Sequence, residues 1–433
     1  IQISARELKK MNGYYDALVP FKNQLKCTDT LTAVWITVQC PSRVPVGKYH
    51  QTIKIEGSKH FTIQLDYNVH HTTIPLKSSI PITVGVENRC VAEGLNDKEA
   101  DKERQRWVDF VLSYRMTPVF GTQITPERWQ YEHSFSPWAW NDKRSIRLLN
   151  DRRYSCYMLP FFTLSENELA SLLCNIQKKG KLKESLFYIW DDPAYMEDYE
   201  QIKQKVNIIR KYASDARILT TFFCGPRNGP RKGDLYAVFD YLKHHIHVAT
   251  ISLAPCKGNE EEVQHIRYKV PEGIDWWSYV CWQPGGNEPN FLLQMKGIQQ
   301  RAIMWRTWKN GSQGFLYWNC NIYHKRNPFT YITDMPHGDG ILIYPGDILG
   351  RKGPIASARL ERWRDGAEEM ELLRLVEKNY SKEKADTLLN IVYSSPLSFI
   401  EKAHNIPFFR KELLDQLDKT IPIDYKLRIT DFI

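Results

Sequence analysis

Asp191 and Asp192 follow directly on the run Phe187-Tyr188-Ile189-Trp190 and precede Pro193. Two carboxylates this close resist ionising together, so one keeps its proton toward neutral pH and can act as an acid. Neighbouring residues of a strand point to opposite faces. Both acids can serve one pocket only if the strand ends here and the chain turns. Pro193 favours that end, since it holds Asp192 extended and removes a ladder donor. The same pair also suits a helix N-cap or a loop ion pair, and position alone leaves these alternatives open.

Two further runs end in aromatic and amide groups. One is Asp275-Trp276-Trp277-Ser278-Tyr279-Val280-Cys281-Trp282, and the other ends in Tyr317-Trp318-Asn319. Flat rings with a polar edge suit the apolar faces of sugars, and they equally suit core packing. Trp277, Tyr279 and Cys281 share one face of their strand by alternation. Trp277, Tyr279, Trp282, Trp318 and Asn319 are therefore candidate substrate-binding residues. His244, His245 and His247 cluster where a helix enters a strand, the wrong end for catalysis, and read as structural. There is no His-Glu-x-x-His spacing, phosphate loop or Gly-x-Ser-x-Gly elbow, so no metal or cofactor is expected.

These candidates need a scaffold that gathers strand ends. From residue 80 on, short apolar runs alternate with helical spacing. The runs are 82–86, 117–120, 154–159, 186–190, 218–222, 248–253, 277–282 and 315–318. Trp107, Phe110, Val111 and Tyr114 repeat at i, i+3, i+4, i+7, as do Leu169, Leu172, Leu173 and Ile176. Further helices are predicted over 196–212 and 291–308. Eight strands alternating with helices point to a (β/α)8 TIM-type barrel, whose active groups lie at the C-terminal strand ends. The rival doubly wound sheet lacks its Gly-x-Gly-x-x-Gly turn.

Ahead of the barrel, residues 1–78 read as a small antiparallel β-sandwich: Val34, Ile36 and Val38 alternate with polar residues, as do Phe61, Ile63, Leu65 and Tyr67. The strands are few for a sandwich, so its front is read as missing. The barrel is placed over 79–380 and a helical C-terminal extension over 381–433.

Composition narrows the partners. The net charge of +9 is dispersed, which argues against a nucleic-acid surface and fits an anionic substrate better. No apolar stretch is long enough to span a membrane. The nine cysteines include no Cys-x-x-Cys pair, which argues against a zinc site or a disulfide framework. No signal-peptide pattern is visible at Ile1.

The chain resembles glycoside hydrolase family 123, known for β-N-acetylgalactosaminidases, from about residue 14 to 378. The resemblance rests on Tyr14–Pro20, Val46–Tyr49, Gly314–Trp318, Gly338–Gly346, Ser357–Glu361 and Arg364–Gly366. It implies an exo-acting, retaining, substrate-assisted mechanism in which the sugar's own 2-acetamido oxygen attacks the anomeric carbon. The family's Asp-Glu-Pro matches Asp191-Asp192-Pro193. Asp191 would then orient the acetamido group, and Asp192 would be the acid/base. Tyr279 would donate to the acetamido oxygen, and Trp318 would lie beneath the sugar. The resemblance also implies a bacterial glycan-degrading setting, periplasmic or extracellular, though the free cysteines weigh against it. Asp in place of Glu withdraws the carboxyl by about 1.5 Å, one C–C bond. That leaves open a shifted pocket, another glycan as substrate, or a carbohydrate-binding protein with a degenerate site. Asp339 in Gly338-Asp339-Gly340 is read as a turn residue at the pocket rim.

Overall fold

The computed structural model describes residues 1–419 apart from 12, 22–23, 27–30, 42–43, 126–129, 136–146, 324–326 and 329–334. Each of the eight apolar runs overlaps a strand of one parallel barrel. The strands are β6 (Ile82–Glu87), β7 (Thr117–Thr125), β9 (Tyr157–Met158), β10 (Ser185–Trp190), β11 (Arg217–Phe222), β12 (Val248–Ser252), β13 (Asp275–Val280) and β14 (Gly314–Tyr317). The sheet closes on itself where β14 pairs with β6, Phe315 opposite Ile82.

Closure is incomplete at one place. Among the described residues no ladder joins β7 to β9. A short strand, β8 (Gln130–Phe135), runs antiparallel to the outer part of β7 there. At the inner end, side chains bridge the gap. The Thr117 and Ser155 hydroxyls lie 2.8 Å apart, and the Ser155 N–H donates to Thr117 Oγ1 at 3.1 Å.

Alternation divides each strand between two cores. Phe187, Ile189, Ile218, Ile251 and Phe315 face outward into the main core beneath the helices. Cys156, Met158, Leu186, Leu219, Val248, Trp277, Tyr279, Cys281 and Leu316 fill the barrel. Trp277 is fully buried among them. Glycine at 314 makes room for it, since a Cβ there would sit 2.2 Å from the Trp277 ring.

The outer helices include Asp97–Ser113, Glu166–Lys178, Met196–Arg210 and Gly297–Lys309. Ser165 and Glu168 form a capping box on the second of these. The helix predicted to begin at residue 291 begins at Gly297. The Leu293 N–H is bonded instead to the His337 carbonyl, and Gln299 accepts from the Lys296 N–H at the helix start.

The N-terminal segment forms two small antiparallel sheets. One has the order β2 (Tyr14–Pro20), β1 (Gln2–Met11), β3 (Ala33–Gln39); the other pairs β4 (Gly47–Ile55) with β5 (Phe61–Val69). A buried ion pair ties β2 to the barrel side. Arg359 Nε donates to Asp16 Oδ2 at 3.0 Å, and the Tyr344 hydroxyl donates to the same oxygen at 2.5 Å. The long helix Ala358–Asn379 starts from this pair, and Ile406–Asp418 is the last helix described.

Candidate active site

The two acids stand where β10 ends. A register shift between Tyr188 and Trp190 inserts one extra residue against β11. Such a bulge re-aims the side chains that follow it. Tyr188 and Asp191, three residues apart, would face opposite ways on a regular strand. Here they meet, with the Tyr188 hydroxyl donating to Asp191 Oδ1 at 2.7 Å. The chain then turns at Asp192 itself, whose φ is 44°. Asp192 is therefore not extended ahead of Pro193. Asp is among the non-glycine residues that accept the left-handed region most readily.

Thr221, at the matching level of β11, binds both acids. Its hydroxyl donates to Asp191 Oδ1 at 2.7 Å and accepts from the Asp192 N–H at 2.9 Å. Asp192 receives the Tyr279 hydroxyl on both carboxyl oxygens, at 3.0 and 2.9 Å. The structure thus brings Asp191, Asp192 and Tyr279 together. It adds Tyr188 and Thr221, which the sequence argument did not single out. Their signal was present: Leu186 and Leu219 face the barrel interior, and alternation puts Tyr188 and Thr221 on the same side.

Electrostatics separate the two acids. Burial pushes the Asp192 carboxyl up to about 8, and the adjacent Asp191 charge adds to the rise. The Tyr279 and Thr221 hydroxyls and the Phe223 N–H oppose it. Asp191 is also raised by burial, against the pull of Tyr188 and Thr221. Burial lifts both phenols far above their ordinary value, so they remain donors across the working pH range. An acid protonated at neutral pH sits beside a second carboxyl dressed by two hydroxyls, the arrangement that general acid/base chemistry needs.

Asp191 opens onto a pocket lined by Gly85, Val119, Met158, Tyr188, Trp318 and Asn319. The Trp318 indole N–H donates to Asp339 Oδ1 at 2.9 Å, and the Tyr317 hydroxyl donates to the same oxygen at 3.2 Å. Asp339 does form part of a turn, its N–H bonded to the Pro336 carbonyl. Its side chain, however, serves the aromatic wall. Burial pushes that carboxyl up to about 6. Asn319 is buried at the pocket's edge, its Oδ1 accepting the Asn321 N–H.

The remaining candidates lie elsewhere. Trp277 has no exposed surface and packs the barrel below Tyr279, so it offers no face to a substrate. Trp282 is 42% exposed and stacks on Phe223 at the barrel mouth. The histidine cluster stays at the far end, where Arg210 binds the His244 and His245 carbonyls. Among the described residues no three His, Cys, Asp or Glu side chains gather as a metal site, and no helix is long and apolar enough to cross a membrane. Among the described residues no two cysteines form a disulfide; Cys27 lies outside the described residues.

The fold has a counterpart. The chain superposes with a TM-score of 0.68 and 14% identity on a family 123 glycoside hydrolase from Clostridium perfringens, whose structural description concerns glycolipid glycan hydrolysis. The alignment covers 96% of this chain and 85% of that one. A β-glucuronidase from Bacteroides uniformis aligns at a TM-score of 0.35 and 8% identity, over 79% of this chain and 45% of that one. No curated protein matches the sequence. The family described as "Glycoside hydrolase 123, catalytic domain" matches residues 102–376. With an acid pair at the end of the fourth barrel strand and this match across the barrel, the chain belongs to glycoside hydrolase family 123.

Proposed function

We propose that this glycoside hydrolase removes a terminal β-linked 2-acetamido sugar, N-acetylgalactosamine foremost, by a substrate-assisted retaining route. The observation that carries the reading is the division of labour between Asp191 and Asp192. Both described donors to Asp191 sit on Oδ1, and the residue lines the pocket beside Trp318. On this reading its second oxygen accepts the acetamido N–H. The acetamido oxygen, made more nucleophilic, attacks the anomeric carbon as the glycosidic C–O bond breaks. Asp192, protonated at neutral pH, gives its proton to the leaving oxygen. As a carboxylate it then takes a proton from the water that opens the cyclic intermediate. No enzyme nucleophile is required, which departs from the usual two-carboxylate scheme. Tyr279, which donates to Asp192, turns to the acetamido oxygen when substrate binds.

Chromogenic β-N-acetylgalactosaminide, β-N-acetylglucosaminide and β-galactoside test the reading on wild type, Asp192→Asn and Asp192→Glu. Wild type should cleave an acetamido sugar and spare the galactoside, and Asp192→Asn should lose about 100-fold or more. Cleavage of the galactoside at a comparable rate refutes substrate assistance. A silent wild type beside an active Asp192→Glu would favour the reading of a carbohydrate-binding protein with a degenerate site.

A further inference from the structure

The acid pair has two sides. On one side, Asp191 opens onto the pocket walled by Trp318 and Asn319, at the ends of β14, β6 and β7. On the other side, Asp192 is engaged by Tyr279 from β13 and by the Phe223 N–H just past β11. The Phe223 ring packs on the barrel's inner cluster and carries Trp282, with ring centroids 5.6 Å apart and planes 18° from parallel. Trp282 keeps 42% of its surface exposed.

This exposed indole is firmly mounted. The Cys281 N–H bonds to the Gln283 carbonyl, closing a tight turn around Trp282. Fully buried Asn290 pins that turn, donating to the Cys281 carbonyl at 2.9 Å and the Pro284 carbonyl at 2.7 Å. A large aromatic face held in one orientation at the surface binds without first losing side-chain freedom.

We infer that the Trp282–Phe223 stack is the leaving-group subsite, a platform for the sugar ring next to the one removed. The inference rests on the proposed role of Asp192. The group protonating the glycosidic oxygen must touch that oxygen, so the departing ring lies on the side of Asp192 away from the pocket. Trp282 stands on that side. The apolar face of a pyranose covers an indole, while its hydroxyls stay in water. Exposure of the stack suits a leaving group that continues into a longer chain.

The test compares kcat/KM for a β-N-acetylgalactosaminyl-galactose disaccharide with that for methyl β-N-acetylgalactosaminide, which has no second ring. Trp282→Ala should lower the disaccharide-to-methyl ratio about tenfold, and Trp282→Phe should restore most of it. An unchanged ratio in Trp282→Ala overturns the subsite, whether both rates fall or neither does. If wild type cleaves neither compound, the acetamido reading has failed and the platform is judged by binding. Saturation-transfer NMR with free methyl β-galactoside should then show transfer to one face of the ring in wild type and none in Trp282→Ala. No transfer in wild type, or equal transfer in both, overturns it.

Discussion

Removing the Tyr279 hydroxyl should move the alkaline limb of the pH–rate profile upward. That hydroxyl donates to both oxygens of Asp192 at 2.9–3.0 Å. A bond from a phenol to a carboxylate stabilises the charged form, so it holds the Asp192 value down. Burial and the Asp191 charge still carry that value up to about 8 with the bond in place. A hydrogen bond to a charged group contributes roughly 1.5–3 kcal/mol, which corresponds to about 1–2 pH units. Tyr279→Phe should therefore keep Asp192 protonated to about one unit or more above the wild-type limb. The assay is kcat/KM against pH, which reports the free enzyme. On the proposed mechanism, in which substrate draws Tyr279 to its acetamido oxygen, the kcat profile should shift less. At neutral pH the variant should be slower on an acetamido substrate, with that donor gone. A limb that stays put or moves down refutes the argument that Tyr279 acts on Asp192 in the resting site.

Three other perturbations separate the parts of the site. Thr221→Val removes one of the two described donors to Asp191, leaving Tyr188, and takes the acceptor from the Asp192 N–H, so kcat should fall about 10- to 100-fold with a smaller change in KM; unchanged kcat would remove Thr221 from the positioning machinery. Asp192→Asn should stabilise the fold increasingly as pH rises. A raised carboxyl contributes its full stability below its unfolded value near 4 and loses it as pH climbs through about 8, so the Tm gap over wild type should widen by at least ~3 °C from pH 5 to pH 9. Gly340→Ala puts a side chain at φ 68°, with its Cβ 2.4 Å from Ile322 and 2.6 Å from the Trp318 ring. It should cost about 1–3 kcal/mol and raise KM by displacing the Trp318 wall; a wild-type KM would show that the wall does not contact substrate.

The barrel was legible because its strands are apolar runs separated by helical spacing, and both patterns are local. The acids were legible because one of those runs ends in charge. What escaped depends on long-range register. The bulge in β10 decides that Tyr188 meets Asp191, and it exists only relative to β11. Asp339 lies 21 residues beyond Trp318, and only the returning loop shows that its carboxyl holds the indole. Depth in the barrel was equally invisible. Alternation correctly places Trp277 and Tyr279 on one face, but the strand's direction through the barrel puts Trp277 in the filling and Tyr279 at the acids. The late start of the helix at Gly297 follows from a tertiary bond to His337 that no periodicity encodes.

Among the described residues, no ladder crosses the seam between β7 and β9. A continuous ladder resists widening along its whole length, since every backbone bond must stretch together. Here the inner end of the seam is held by the hydroxyls of Thr117 and Ser155. Val119 and Met158, which line the pocket, flank that seam on its two sides. Widening the wall at this seam would break those side-chain contacts and no described β7–β9 ladder. The acids stand one strand away from it, on the paired strands β10 and β11. On the proposed function, a bulkier acyl group on the sugar would press on Val119 and Met158 at this seam rather than on a continuous ladder.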